Sequence, residues 1–195
     1  MDIPAGFSWN LRGRCYRLGD DVPHAGGVVP NWLISGRYMD PKDIVPHLFS
    51  ETDPGFHERV AAGDIIVTGR NFGMGPKMTG YIAMRALDLG LVCETMPFLA
   101  YRAALGVGVR VLKDCPGVSS ACETGDDLEV DYASGTFINH TRGFTRAFPP
   151  LPVPLRDLVR LGGNGGWLRD WRQRQQAGGA AVSPPGVSGP AVSPP

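Results

Sequence analysis

A strand, a glycine-rich loop and a helix follow one another within residues 63–90, whose sequence is GDIIVTGRNFGMGPKMTGYIAMRALDLG. The β-branched run at residues 65–67 is typical of a buried strand, and Gly73 and Gly75 permit a tight turn into a helix. A helix N-terminus carries unpaired N–H donors and the positive end of the helix dipole, so the loop suits a carboxylate or a phosphate. The alternative is a plain connection between a strand and a helix.

Composition narrows the class of protein. The chain has 195 residues, 43% of them hydrophobic, so we expect one domain with a substantial core. The formal net charge is zero, which argues against a nucleic-acid partner because phosphate backbones select basic surfaces. No apolar run is long enough to span a membrane, and the N-terminus lacks the features of a signal peptide. We therefore expect a cytoplasmic protein with no membrane partner.

The four cysteines do not form a recognisable metal site. They are scattered without a CxxC pair, and their spacing matches no set of metal ligands. We expect free thiols and no metal bound by this chain, the cysteines being Cys15, Cys93, Cys115 and Cys122.

Short strands and helices alternate along the chain, which predicts an α/β architecture. We expect strands at residues 15–18, 65–68, 91–95, 109–112, 128–131, 136–139 and 145–148, and helices at residues 41–49, 77–89, 97–104 and 154–161. The second half reads as a meander of strands with glycine turns. The sequence therefore predicts an α/β layer followed by a small β-rich cap.

The C-terminal segment differs in composition from the rest of the chain. Residues 173–195 are dominated by Pro, Gly, Ser and Gln, and the motif AVSPP occurs twice. Such a segment has too little apolar surface to offset the entropy lost on ordering. We expect a domain at residues 1–172 and a disordered tail at residues 173–195.

Several segments, taken together, resemble the small subunit of 3-isopropylmalate dehydratase, which is the swivelling domain of the aconitase superfamily. They are GRCYRLGDDV, VVP, HLF, DPGF, GDIIVTGRNFGMG, YRAALGVGVRVL and GDDLEVDYASGTFINHTRG, in that order between residues 13 and 143, with further similarity to residue 171. The resemblance implies a swivelling β/β/α fold and a large partner subunit that carries a [4Fe–4S] cluster. It also implies the reversible dehydration of a hydroxy-dicarboxylic or related hydroxy acid.

The glycine loop departs from the GxGSSRE pattern of that family. Pro76 stands where the resemblance implies the serine base, Lys77 replaces the second serine, and Met78 replaces the arginine that binds a substrate carboxylate. Proline at this position also removes an N–H group from the anion site. By the resemblance, Gly73, Gly75, Pro76 and Met78 still occupy substrate-binding positions, and Gly73 and Gly75 are unchanged.

Two candidates remain for catalysis. Lys77 is the ionisable side chain left on the loop, and a lysine can act as a base or hold a carboxylate as a cation; the alternative is an ordinary exposed lysine. His24 lies in the loop PHAGG, where the resemblance implies a DTD motif facing the active site. Its usual pKa suits proton transfer near neutral pH; the alternative is a solvent-exposed histidine.

Three further residues are candidates for binding substrate. Asp20 and Asp21 resemble the acid-and-amide pair of the family, although they could instead form a turn that binds its own backbone. Arg37 lies in the lengthened loop NWLISGRYMDP. Its planar guanidinium could bind the substrate carboxylate in place of the family arginine that Met78 replaces.

Two functions follow from these observations. The first is the small subunit of a hydro-lyase that pairs with an iron-sulfur large subunit. The second is a non-catalytic interaction or regulatory module, because the loop lacks a serine at Pro76 and an arginine at Met78. The KSFAR motif that the resemblance implies is also replaced, by residues 94–98.

Overall fold

The computed structural model describes residues 7–75 and 77–178. Pro76 and most of the predicted tail, residues 179–195, lie outside the described residues. The strands are β1 Asn10–Arg17, β2 Ile65–Thr68, β3 Gly90–Cys93, β4 Arg110–Leu112, β5 Asp127–Asp131, β6 Thr136–Asn139 and β7 Phe144–Ala147. The α-helices are α1 Asn31–Ser35, α2 Pro41–Ile44, α3 Phe56–Arg59, α4 Thr79–Ala86, α5 Phe98–Val107, α6 Val153–Arg160 and α7 Gly163–Gly178, with short 3₁₀ segments at Val45–His47 and Ser119–Ala121.

All of the strands join one seven-stranded sheet in the order β4-β3-β2-β1-β5-β6-β7. β1 pairs with β2 in parallel, with Cys15 opposite Ile65, and with β5 in antiparallel, with Leu11 opposite Val130. The α/β prediction is confirmed. The separate β-rich cap is wrong, because β1 begins at Asn10 and its first half pairs with β5, which continues the sheet into β6 and β7.

The sheet is buried on both faces in its parallel half. Successive residues of a strand point to opposite faces, and along β2 Ile66 belongs to one hydrophobic cluster while Ile65 and Val67 belong to another. The first cluster also contains residues of α4 and α5, so these helices cover that face. Both connections, β2 to α4 and β3 to α5, are consequently held against a rigid sheet.

The helix boundaries differ from the prediction in ways that affect the site. The helix predicted at residues 77–89 begins at Thr79, so Lys77 and Met78 precede it. The helix predicted at residues 41–49 is shorter and passes into a 3₁₀ segment that contains Pro46, which lacks an N–H group.

The helices α1, α3 and α7 were not predicted. The last of them extends to residue 178 and therefore includes the first residues of the predicted tail. No helix in the described part of the chain is long and apolar enough to cross a membrane.

Candidate active site

The carboxyl ends of β1, β2 and β3 lie side by side because these strands are parallel. We call this end of the strands the carboxyl edge of the sheet. In α/β sheets, ligands bind at this edge. Two backbone hydrogen bonds join the connection after β1 to the glycine loop after β2. Gly73 N donates to Val22 O at 2.7 Å, and His24 N donates to Met74 O at 3.0 Å. The segments that carry the predicted site residues 20–24 and 73–78 are therefore neighbours.

The two loop glycines are required for different reasons. Gly73 has φ +76° and is buried, and a Cβ atom there would lie 2.1 Å from Tyr81 Oη. Gly75 has φ +107°, but a Cβ atom there would meet no atom within 4 Å. Gly73 is thus needed for both conformation and space, whereas Gly75 is needed for conformation alone.

This difference predicts unequal effects of alanine. We expect Gly73→Ala to cost about 3 kcal/mol of unfolding free energy, since it adds a steric overlap to left-handed strain, and Gly75→Ala to cost about 1 kcal/mol. Urea unfolding measures both values. The Gly73→Ala cost should shrink in a Tyr81→Phe background, which removes the overlapping oxygen. Equal costs for the two alanine variants would contradict this account.

The predicted anion site has fewer available N–H groups than expected. Gly73 N is taken by Val22 O, Lys77 N donates to Gly75 O at 2.9 Å, and Gly80 N donates to His24 Nε2 at 3.0 Å. None of these N–H groups is open to a ligand. The predicted contribution of Pro76 lies outside the described residues.

His24 is fully buried, with 0% of its surface exposed. Its ring contacts that of Tyr81 at 4.9 Å, and its Nε2 accepts the Gly80 N–H at the start of α4. Burial, and to a smaller extent the positive charge of Lys77, lowers the pKa of His24 from 6.5 to about 4. The alternative of a solvent-exposed histidine is wrong because the ring is buried. The accepting lone pair of His24 caps α4 and holds both sides of the glycine loop.

Lys77 and Met78 stand at the surface, immediately before α4. Among the residues that the structure describes, the Lys77 ammonium makes no hydrogen bond and no ion pair. Met78 is 41% exposed and supplies no side-chain cap to the helix. The loop therefore offers one cation and one apolar side chain to a ligand.

Asp20 and Asp21 bind the connection after β2 rather than their own turn. Asp20 accepts from Arg70 N at 2.8 Å and from the Arg70 guanidinium at 2.8 and 3.1 Å. The hydrogen bond from the Arg70 backbone has the largest effect in lowering the pKa of Asp20, and the bonds from the Arg70 guanidinium lower it as well. Asp21 has φ 55° and accepts from Asn71 Nδ2 at 2.9 Å. Both carboxylates thus shape the start of the glycine loop.

Arg37 follows α1 in a left-handed conformation with φ 56°, and its side chain is exposed. Its backbone N–H donates to Ile34 O at 3.1 Å. Within the described ranges its guanidinium has no hydrogen-bond partner or ion pair, so it is free to meet a ligand or a partner chain.

A polar cavity of about 390 Å³ lies at the same edge of the sheet. Sequence reasoning identified only Asp20 among the residues with polar side chains that line it, which are Arg17, Asp20, Arg70, Glu94, Ser119 and Ser120. Arg70 and Glu94 closely follow β2 and β3, and this position after parallel strands was the signal that could have revealed them.

The described residues do not form a metal centre. In ranges 7–75 and 77–178, no group of three or more His, Cys, Asp or Glu side chains is placed to hold a metal ion. All four cysteines are free and buried. An iron-sulfur cluster does not fit the described residues of this chain.

Comparisons with known proteins agree with this architecture. No family model matches the chain. The chain is 30% identical over 167 residues to 3-isopropylmalate dehydratase small subunit 1 of Archaeoglobus fulgidus, covering 83% of this chain and 99% of the relative. It is 33% identical over 158 residues to 3-isopropylmalate dehydratase small subunit 1 of Methanopyrus kandleri, covering 78% and 89%. A crystal structure of 3-isopropylmalate dehydratase from Methanocaldococcus jannaschii has the same fold, with TM-score 0.77 and 24% identity over 86% of this chain and 98% of that chain.

Proposed function

Since the chain belongs to the family of 3-isopropylmalate dehydratase small subunits, we propose that it is the small subunit of a hydro-lyase that removes water from a hydroxy acid and adds it back. The observation that carries this proposal is the similarity along nearly the whole length of the relatives. The substrate is a hydroxy-dicarboxylic acid or a related hydroxy acid. The partner is a large dehydratase subunit.

We place the [4Fe–4S] cluster on that large subunit. When bound there, the cluster would act as a Lewis acid toward the leaving hydroxyl group. Buried cysteines support this placement, because Cys15 and Cys93 are both 0% exposed and cannot meet a cluster without unfolding the core. This chain would bind and orient the acid and exclude water from it.

Lys77 is the residue that we propose for holding a substrate carboxylate. Its ammonium is exposed on the segment between β2 and α4, and the flexible side chain can adjust its position to pair with a bound anion. His24 supports Lys77 indirectly, since it joins Met74 on the glycine loop to Gly80 at the start of α4. Arg37 is a second candidate for a carboxylate, and Met78 would contact an uncharged part of the substrate.

A non-catalytic interaction or regulatory module is the second candidate function. It is favoured by one observation, the exposed Met78 at a position where the family resemblance implies a carboxylate-binding arginine. Such a module would keep the fold and the partner surface without turning over substrate.

Reconstitution with the large subunit tests both functions. We expect the purified complex, with its iron and sulfide content verified, to form or consume unsaturated acid, measured by ultraviolet absorbance on a panel of hydroxy acids. The complex without this chain is the control and should be inactive. A complex that holds an intact cluster and yet acts on no hydroxy acid of the panel would instead support the non-catalytic module.

A further inference from the structure

Glu94, at the carboxyl edge of the sheet, has a carboxylate that is unpaired among the residues that the structure describes. It follows β3 directly, and its backbone N–H donates to Thr68 O and Gly69 O, each at 3.2 Å. The residue is therefore fixed against the end of β2. Its side chain is half-buried, and in residues 7–75 and 77–178 its carboxylate accepts no hydrogen bond and joins no ion pair.

The other cavity carboxylate is already satisfied. Asp20 accepts two guanidinium N–H groups and one backbone N–H group from Arg70. Glu94 acts on the same guanidinium only through its charge, which contributes to raising the pKa of Arg70 after the larger effect of the Asp20 hydrogen bond. A proton acceptor needs an available oxygen, and in the described residues Glu94 is the carboxylate lining this cavity that accepts no hydrogen bond.

The cavity adjoins the glycine loop. Thr95, next to Glu94, accepts from Asn71 N through its hydroxyl at 2.8 Å and from Phe72 N through its backbone carbonyl at 3.1 Å. Asn71 and Phe72 begin the loop that carries Lys77. This loop is therefore hydrogen-bonded to Thr95, the residue next to Glu94.

We propose that Glu94 is the catalytic proton acceptor, replacing the serine absent from the glycine loop, and that the cavity receives the carbon from which the proton is removed. This inference rests on the proposed hydro-lyase function. The cavity also contains the Ser119 and Ser120 side chains and the guanidinium of Arg17. Arg17 Nη1 already donates to Glu123 Oε2 at 3.2 Å, and Ser120 Oγ donates to Gly117 O at 3.1 Å. The Ser119 hydroxyl and the remaining N–H groups of Arg17 are therefore the donors suited to the carboxylate attached to that carbon.

The step is balanced without a further reactant. The C–H bond beside the hydroxyl-bearing carbon breaks, its proton passes to Glu94, and its electron pair forms the C=C bond. The C–O bond breaks, and the hydroxide leaves with that bond's electrons and takes up a proton from solvent. Glu94 returns its proton to solvent, so the net reaction is hydroxy acid to unsaturated acid and water.

Glu94→Gln in the reconstituted complex tests the assignment. Glutamine keeps the size of the side chain and removes its basicity, so kcat should fall at least 100-fold while KM changes less than threefold. The same variant should lose the exchange of the substrate C–H proton with deuterated water, followed by proton NMR. Glu58→Gln, at an exposed glutamate on α3, is the matched control and should keep both rates.

The outcomes are distinct. An active wild-type complex whose Glu94→Gln variant keeps the proton exchange overturns the assignment and leaves the hydro-lyase function standing. A loss of activity with intact exchange also overturns it, because the proton is then removed without the Glu94 carboxylate. A wild-type complex that neither turns over nor exchanges any hydroxy acid overturns the hydro-lyase function and this assignment together.

Discussion

Replacing Lys77 with alanine is expected to lower kcat/KM of the reconstituted complex about 100-fold, the scale of losing a charged hydrogen-bond partner of a bound carboxylate. Lys77 is exposed and lies before α4, so the unfolding free energy should change by less than about 1 kcal/mol. Steady-state kinetics and urea unfolding measure the two quantities.

The division between KM and kcat separates the two roles considered for Lys77. If Lys77 binds the substrate carboxylate, its removal should raise KM. If Lys77 is instead the base, its removal should lower kcat with little change in KM. Lys42→Ala, at an exposed lysine on α2, is the matched control. Unchanged kinetics in Lys77→Ala would remove this residue from the site and leave Arg37 as the candidate anchor.

Acid should weaken the fold through His24. The unfolded chain takes up a proton near the ordinary pKa of 6.5, whereas the folded chain resists protonation until about pH 4. The stability that neutral His24 contributes is fully present above pH 6.5 and is lost as the pH falls from 6.5 toward 4. The loss amounts to about 3 kcal/mol of unfolding free energy.

His24→Gln isolates this contribution. Glutamine retains an acceptor for the Gly80 N–H and does not titrate, so the variant should lose less stability than the wild type between pH 6.5 and 4. His57→Gln, at a partly exposed histidine on α3, is the control and should follow the wild-type curve. Parallel curves for wild type and His24→Gln would show that His24 is protonated equally in the folded and unfolded chains.

Local sequence signals predicted part of the fold accurately. The strands at residues 65–68 and 136–139 have the predicted bounds, because β-branched residues and flanking turns define them without help from the rest of the chain. The first half of β1, with sequence NLRGR, was missed since it has few apolar residues and gains order by pairing with β5. The extension of α7 was missed because tail composition was weighed without the helix propensity of its Arg and Gln residues.

The site was less predictable than the fold. The sequence indicated the glycine loop and the residues on it, since glycines after a strand have a local meaning. The cap between His24 and Gly80 joins positions 56 residues apart, and no local pattern reports it. The position of Glu94 after β3 was visible in the sequence, but its lack of a partner was not, because that is a property of the folded surroundings.

The pairing of β1 has a consequence for the order in which the protein is made. This strand is near the N-terminus, yet its two neighbours in the sheet are β2 and β5, which ends at Asp131. While the ribosome is still adding the middle of the chain, one edge of β1 has no partner, and buried residues such as Leu11 remain uncovered. Unpaired strand edges favour association with other chains. A nascent chain that stalls before β5 is therefore the form most in need of a chaperone.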